Sequence, residues 1–128
     1  MDDKELGWLG SSFKDLCAMP SDIRRDMGHA LRQLQNGLRP TNAKALSGFR
    51  PTSAEILADH QGDTYRLVYT THYADILYVV HCFKKKSTKD SNLPKPDRET
   101  IELRLSSASR LEGVKAAANK TAAKRKKR

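Results

Sequence analysis

The alternation of apolar and polar positions divides the chain into helical and extended segments. Residues 6–9, Leu-Gly-Trp-Leu, form a short apolar stretch and predict a first strand. Ser12-Phe-Lys-Asp15 has the form of a capping box opening a short helix, with Phe13, Leu16 and Cys17 facing inward. Pro20 interrupts that helix, and a second begins near Ser21. Ile23, Met27, Ala30, Leu31 and Leu34 recur at helical spacing, while Arg24, Arg25, Arg32 and Gln35 take the other face. Asn36-Gly37 supplies the stop, because both residues tolerate the left-handed conformation. Residues 38–52 read as a connection punctuated by Pro40, Gly48 and Pro51.

Three strands follow, over Ser53–His60, Thr64–Thr71 and Ile76–Phe83. Gln61-Gly62-Asp63 marks the first turn, and a second falls near His72–Asp75. The last strand is nearly all apolar, as suits a central position. Lys84 to Pro96 reads as a polar loop. A third helix is predicted from Pro96 to Leu111, with Ile101, Leu105 and Ala108 on one face. The remaining Ala, Lys and Arg residues predict a disordered end. The order β, α, α, β, β, β, α is that of an α+β fold. Its small twisted sheet is rich in antiparallel pairs, with two N-terminal helices packed on one face. The C-terminal helix could cover part of the other. One domain over residues 1–112 and a basic tail over 113–128 are expected.

Charge changes this picture less than its total suggests. The net charge of +9 comes from 24 basic and 15 acidic residues. From Val114 onward there are seven basic residues and no acid, which leaves the domain close to neutral. A polyanion site in the domain therefore needs a local argument. The two cysteines, Cys17 and Cys82, fit neither a zinc site nor a disulfide framework, and a reducing cytoplasm is expected. No apolar run approaches the roughly 20 residues of a membrane span. Met-Asp-Asp-Lys-Glu at the start gives no signal peptide. No P-loop, dinucleotide fingerprint, zinc signature or nucleophile elbow occurs, so no cofactor and no metal are expected.

Positive charge on the predicted sheet gathers at Arg66, at Lys84-Lys85-Lys86 and on the connection carrying Lys44 and Arg50. Arg66 alternates away from Tyr65 and Leu67, which predicts a solvent-facing side chain. Tyr78, Val80 and Cys82 share a face that, continued, reaches Lys84 and Lys86. If the hairpin joins these surfaces, Arg66 and the lysines converge on a patch suited to a phosphodiester. The structural alternatives are an Arg66 ion pair with Asp63 or Glu55, and a solvated loop at Lys84–Lys86. His81 interrupts an apolar run, as either a hydrogen-bonded core histidine or a general acid or base.

Taken in order, Trp8-Leu-Gly-Ser-Ser12, Gly28-His-Ala-Leu31, Lys44-Ala-Leu-Ser-Gly48, Gly62-Asp-Thr-Tyr-Arg66 and Tyr78-Val-Val-His-Cys-Phe-Lys-Lys-Lys-Ser87 resemble the phage-related branch of the RelE/HigB toxin family. The similarity covers roughly residues 6–106 and closes with Pro94, Pro96-Asp97, Ile101 and Arg104-Leu105. It implies the RelE-like toxin fold and a metal-independent endoribonuclease that cuts mRNA on the ribosome. It also implies a helix-turn-helix antitoxin as partner. The strand arginine of such sites falls on Arg66, and a catalytic basic residue after the next strand falls within Lys84–Lys86, on Lys86 ahead of Lys84. Lys85, Lys44 and Arg50 are the accompanying RNA-binding candidates. The lysines that relatives place on the preceding strand are missing, since Ser53–Asp59 contains Glu55 instead. The late tyrosine of some relatives has no counterpart, which makes His81 the substitute acid or base. Two other classes stay open: a ParE-like gyrase inhibitor without catalysis, and a non-toxic basic nucleic-acid-binding protein working through its tail.

Overall fold

The computed structural model describes residues 3–85 and 93–126. Strand β1 (Glu5–Trp8) leads into helices α1 (Ser12–Cys17) and α2 (Ser21–Gln35). Strands β2 (Ala43–Leu46), β3 (Ser53–His60), β4 (Asp63–Thr70) and β5 (Ile76–Lys85) follow, and α3 (Lys95–Lys126) ends the chain. The sheet order is β1-β5-β4-β3-β2. Among the described residues only the β1–β5 pair is parallel, because α1, α2 and three strands intervene before the chain returns to that edge. The fold is α+β, as the pattern predicts.

Both sheet faces are covered. Ile23, Met27, Ala30, Leu31 and Leu34 of α2 pack with Ile56, Leu67, Leu77 and Val79 on one face. Ile101, Leu105 and Ala108 of α3 pack with Val68, Tyr78 and Val80 on the other. The hairpin between β3 and β4 turns on Gln61 and Gly62, both at positive φ (49° and 84°), which matches the twist of the flanking strands.

Five local expectations are corrected. The helix-opening cap sits one residue earlier: the N-cap is Ser11, whose hydroxyl donates to Asp15 Oδ2 at 2.7 Å. Ser12 is buried instead and donates to the Val79 carbonyl. Phe13 does not face inward; it is exposed and meets Trp8 edge-on. Cys17 is exposed as well, while Cys82 is buried. Residues 43–46 form an edge strand within the stretch read as a connection. Finally, α3 runs on past Leu111 to Lys126, where a disordered end was expected. Alanine, lysine and arginine are strong helix formers, so a helix once anchored by its packed turns continues through them.

The feature that sets the site is an irregularity in the β4–β5 ladder. Val68 pairs with His81, but Tyr69 pairs with Val79. Val80 is therefore an extra residue on β5, a bulge that breaks the alternation. Before it, Ile76, Tyr78 and Val80 face α3. After it, His81, Phe83 and Lys85 are the residues opposite Val68, Arg66 and Thr64 on that face.

Candidate active site

The α3 face of the sheet carries three cross-strand rows. Lys44, Glu55, Val68 and His81 form one; Leu57, Arg66 and Phe83 the next; Asp59, Thr64 and Lys85 the third. Directly paired residues project to the same side of a sheet. Charged groups from four strands thus share a surface, and Arg98 from the first turn of α3 closes one end. Together with Leu46, Ser47 and Leu93 they bound a predominantly polar cleft of about 480 Å³.

Arg66 lies at its floor. The side chain is 6% exposed and its Nη1 stands 3.4 Å from Glu55 Oε2, itself on a side chain 6% exposed. Burial of Arg66 corrects the expectation of a solvent-facing arginine: α3 and the neighbouring rows cover the face that was expected to stay open. Of the two ion-pair partners weighed for it, Glu55 is the one found. The pair is incomplete, since Arg66 Nε and Glu55 Oε2 are buried without a hydrogen-bond partner among the described residues. Native proteins satisfy most buried polar groups. The chain itself therefore leaves the hydrogen bonding of this charged pair incomplete beneath a polar cleft.

The lysines divide by parity. Lys85 lines the cleft. Lys84 pairs with Tyr65 on the α1–α2 side of the sheet and bridges to Asp63 at 3.0 Å. The Asp63 carboxylate accepts from its ammonium and holds the Lys84 pKa above the usual lysine value. The expected convergence of Lys84 with Arg66 therefore fails, and the bulge at Val80 is the reason. Lys86 lies outside the described residues. Lys44 is exposed at the cleft rim. Arg50 does not line the cleft; it borders a separate depression with His72, Tyr73 and Leu105.

His81 is held on both sides. Nε2 is 2.8 Å from Asp97 Oδ1, and Nδ1 is 3.3 Å from Arg104 Nη1. Arginine can only donate, which assigns the proton of a neutral ring to Nε2. The ring also stacks on Phe83 at 4.7 Å. Arg104 donates further to the carbonyl of the bulge residue Val80 and to Ser11 Oγ. Its seat requires Gly10, where a Cβ would lie 2.4 Å from Arg104 Nε. The histidine and arginine thereby fasten α3 across β5, and α3 carries Arg98 to the cleft.

Sequence reasoning missed Glu55 as a site group, together with Asp59 and Arg98. Each had a signal. Glu55 is a carboxylate in a strand between Ala54 and Ile56. Arg98 precedes Ile101 and Leu105 by three and seven residues, which puts it on the packed side of α3.

A model of the phage-derived Gp49-like protein family (DUF891) matches residues 14–106. The chain belongs to that family. The match spans every residue of the cleft and ends within α3, short of the basic helical extension. The Gp49-like family is RelE-like and toxin-like in general, in agreement with the fold. No curated protein and no solved structure matches the chain. Among the described residues, no group of His, Cys, Asp and Glu could hold a metal ion, and no helix is long and apolar enough to cross a membrane.

Proposed function

We propose that this Gp49-like protein is the toxin of a type II toxin–antitoxin pair, a metal-independent endoribonuclease that cuts mRNA on the ribosome. The observation that carries the reading is the buried, incomplete Glu55–Arg66 pair beneath a cleft lined by Lys44, Lys85 and Arg98. A phosphodiester seated there would meet the part of the Arg66 side chain that borders the cleft. Its equatorial oxygens would meet a guanidinium fork and an ammonium, which stabilise the charge of a pentacovalent phosphate.

The chemistry this supports is internal transesterification. The ribose 2′ oxygen bonds to phosphorus while the bond from phosphorus to the 5′ oxygen breaks. Glu55, whose side chain borders the cleft, takes the 2′ proton. Lys85 stands on the same face and donates a proton to the leaving 5′ oxygen. The products are a 2′,3′-cyclic phosphate and a 5′ hydroxyl. His81, with both ring nitrogens engaged, serves as a positioning residue that holds α3. Control by a helix-turn-helix antitoxin belongs to the same reading.

Primer extension on mRNA after induction in growing cells, with end-group analysis of the fragments, tests it. Discrete cuts bearing 5′ hydroxyls are expected, and they disappear with Glu55→Gln. Growth arrest with intact mRNA would replace this reading with gyrase inhibition. Neither arrest nor cleavage would leave a basic nucleic-acid-binding protein.

A further inference from the structure

We infer that Arg98 is a stacking platform for a nucleobase, so that the cleft grips one base of a single-stranded RNA beside the phosphate it holds. The inference rests on the proposed endonuclease reading and deepens it. The Arg98 guanidinium carbon lies over the Phe49 ring, 5.6 Å from its centroid. Phe49 is 7% exposed, packed in the cluster that includes Val80, Ile101 and Leu105, so the ring is a fixed support. Gly48, at φ +89°, runs alongside; a Cβ there would stand 3.6 Å from Arg98 Nη1. Arg98 itself is exposed and lines the cleft. Its side chain forms no ion pair or hydrogen bond with any described residue.

An arginine placed for a phosphate alone gains little from lying over an aromatic ring. Its guanidinium carbon is held over Phe49 while the side chain lines the cleft, so a delocalised cationic group on a fixed support borders the space a ligand would fill. Unpaired bases stack on such guanidinium planes, which is a common means of holding single-stranded RNA. The remaining cleft groups fit the rest of a nucleotide: Lys44, Arg66 and Lys85 for phosphate oxygens, Glu55 for the ribose hydroxyl.

The test uses the full chain and fluorescent 2′-O-methyl hexanucleotides, which cannot be cleaved, with and without abasic positions. The wild type should bind the base-containing strand about tenfold more tightly than the abasic one. Arg98→Lys keeps the charge and loses the plane. It should erase that difference while leaving the abasic affinity unchanged. Phe49→Leu, which keeps an apolar side chain in the cluster, should narrow the difference. Equal affinity of the wild type for both strands, including binding to neither, overturns the platform, as does Arg98→Lys weakening both strands alike. Cleavage of ribosome-bound mRNA is measured in parallel. Normal cleavage without base-dependent binding rejects the platform and keeps the endonuclease. Base-dependent binding without cleavage keeps the platform and rejects the endonuclease.

Discussion

Glu55 and Arg66 stand on neighbouring strands with their charged atoms 3.4 Å apart and both side chains 6% exposed. Charge-assisted hydrogen bonds are typically shorter, about 2.7–2.9 Å. The fold thus buries two opposite charges at a cost in desolvation and leaves their hydrogen bonding unfinished within the chain. A site selected for stability alone would close the pair or replace it with apolar residues.

Arg66→Ala should therefore lose stability as well as toxicity. Removing one partner of a buried pair typically costs roughly 3–5 kcal/mol, here toward the lower end because the cleft admits water. The double variant Glu55→Leu with Arg66→Met should recover much of that loss and remain inactive. Denaturant unfolding and a growth assay read both. Wild-type stability of Arg66→Ala would contradict the buried pair, and cleavage by the double variant would remove both residues from the chemistry.

Lys84 and Lys85, adjacent in sequence, should behave oppositely. Lys85→Ala should slow mRNA cleavage by tenfold or more, on the order expected for a cation or acid at the reacting phosphate. Lys84→Ala loses an exposed bridge to Asp63 on the far side of the sheet and should leave cleavage unchanged. The reverse ranking would mean that the bulge at Val80 does not set the site.

That pair shows where the sequence was legible and where it was not. The three long strands, the α2 stripe and the Gln61-Gly62 turn are written in local periodicity, and each lies where the pattern placed it. A bulge leaves no such mark. Tyr78-Val-Val-His-Cys-Phe83 is apolar on both faces, so an inserted residue changes nothing in the pattern while exchanging Lys84 for Lys85 in the cleft. Strand β2 was missed because Ala43-Lys-Ala-Leu46 has no β-branched or aromatic residue; it exists by pairing with β3. Arg66 and Lys85 were recognisable as cations. Glu55 is legible as one of two ion-pair partners for Arg66 and as a missing lysine; its place in the cleft is not, since that depends on the diagonal contact across β3 and β4.

The cysteines give a pH prediction. Burial pushes the Cys82 thiol up to about 12 from its ordinary 9.0, with the Asp15 carboxylate adding to the shift and Arg104 opposing it. A raised folded pKa means that the folded state binds the proton more tightly than the unfolded state. This contribution is fully present below pH 9.0 and is lost as pH rises from there toward 12. Cys82→Ala should therefore flatten the fall in stability across that window, whatever its effect at neutral pH. Thiol reagents should modify the exposed Cys17 at once and Cys82 only on unfolding. Rapid labelling of both in the native protein would contradict the burial.

The extension of α3 tests what the terminal charges do. Tyr78 donates to Glu112 at 2.8 Å, and Lys115 bridges the same carboxylate at 2.9 Å. These bonds tie the helix to β5 well beyond Leu105. A truncation that keeps them, deleting residues 116–128, removes six basic residues and none of the described core. Thermal stability should be unchanged. If the extension grips ribosomal RNA, ribosome affinity should fall, and its log–log salt slope should decrease by roughly 0.7–0.9 for each phosphate that the extension had neutralised. Cleavage at saturating protein should persist, because Glu55, Arg66 and Lys85 are untouched. An unchanged slope would assign the relevant charge to the cleft itself and leave the extension as a solvated helix.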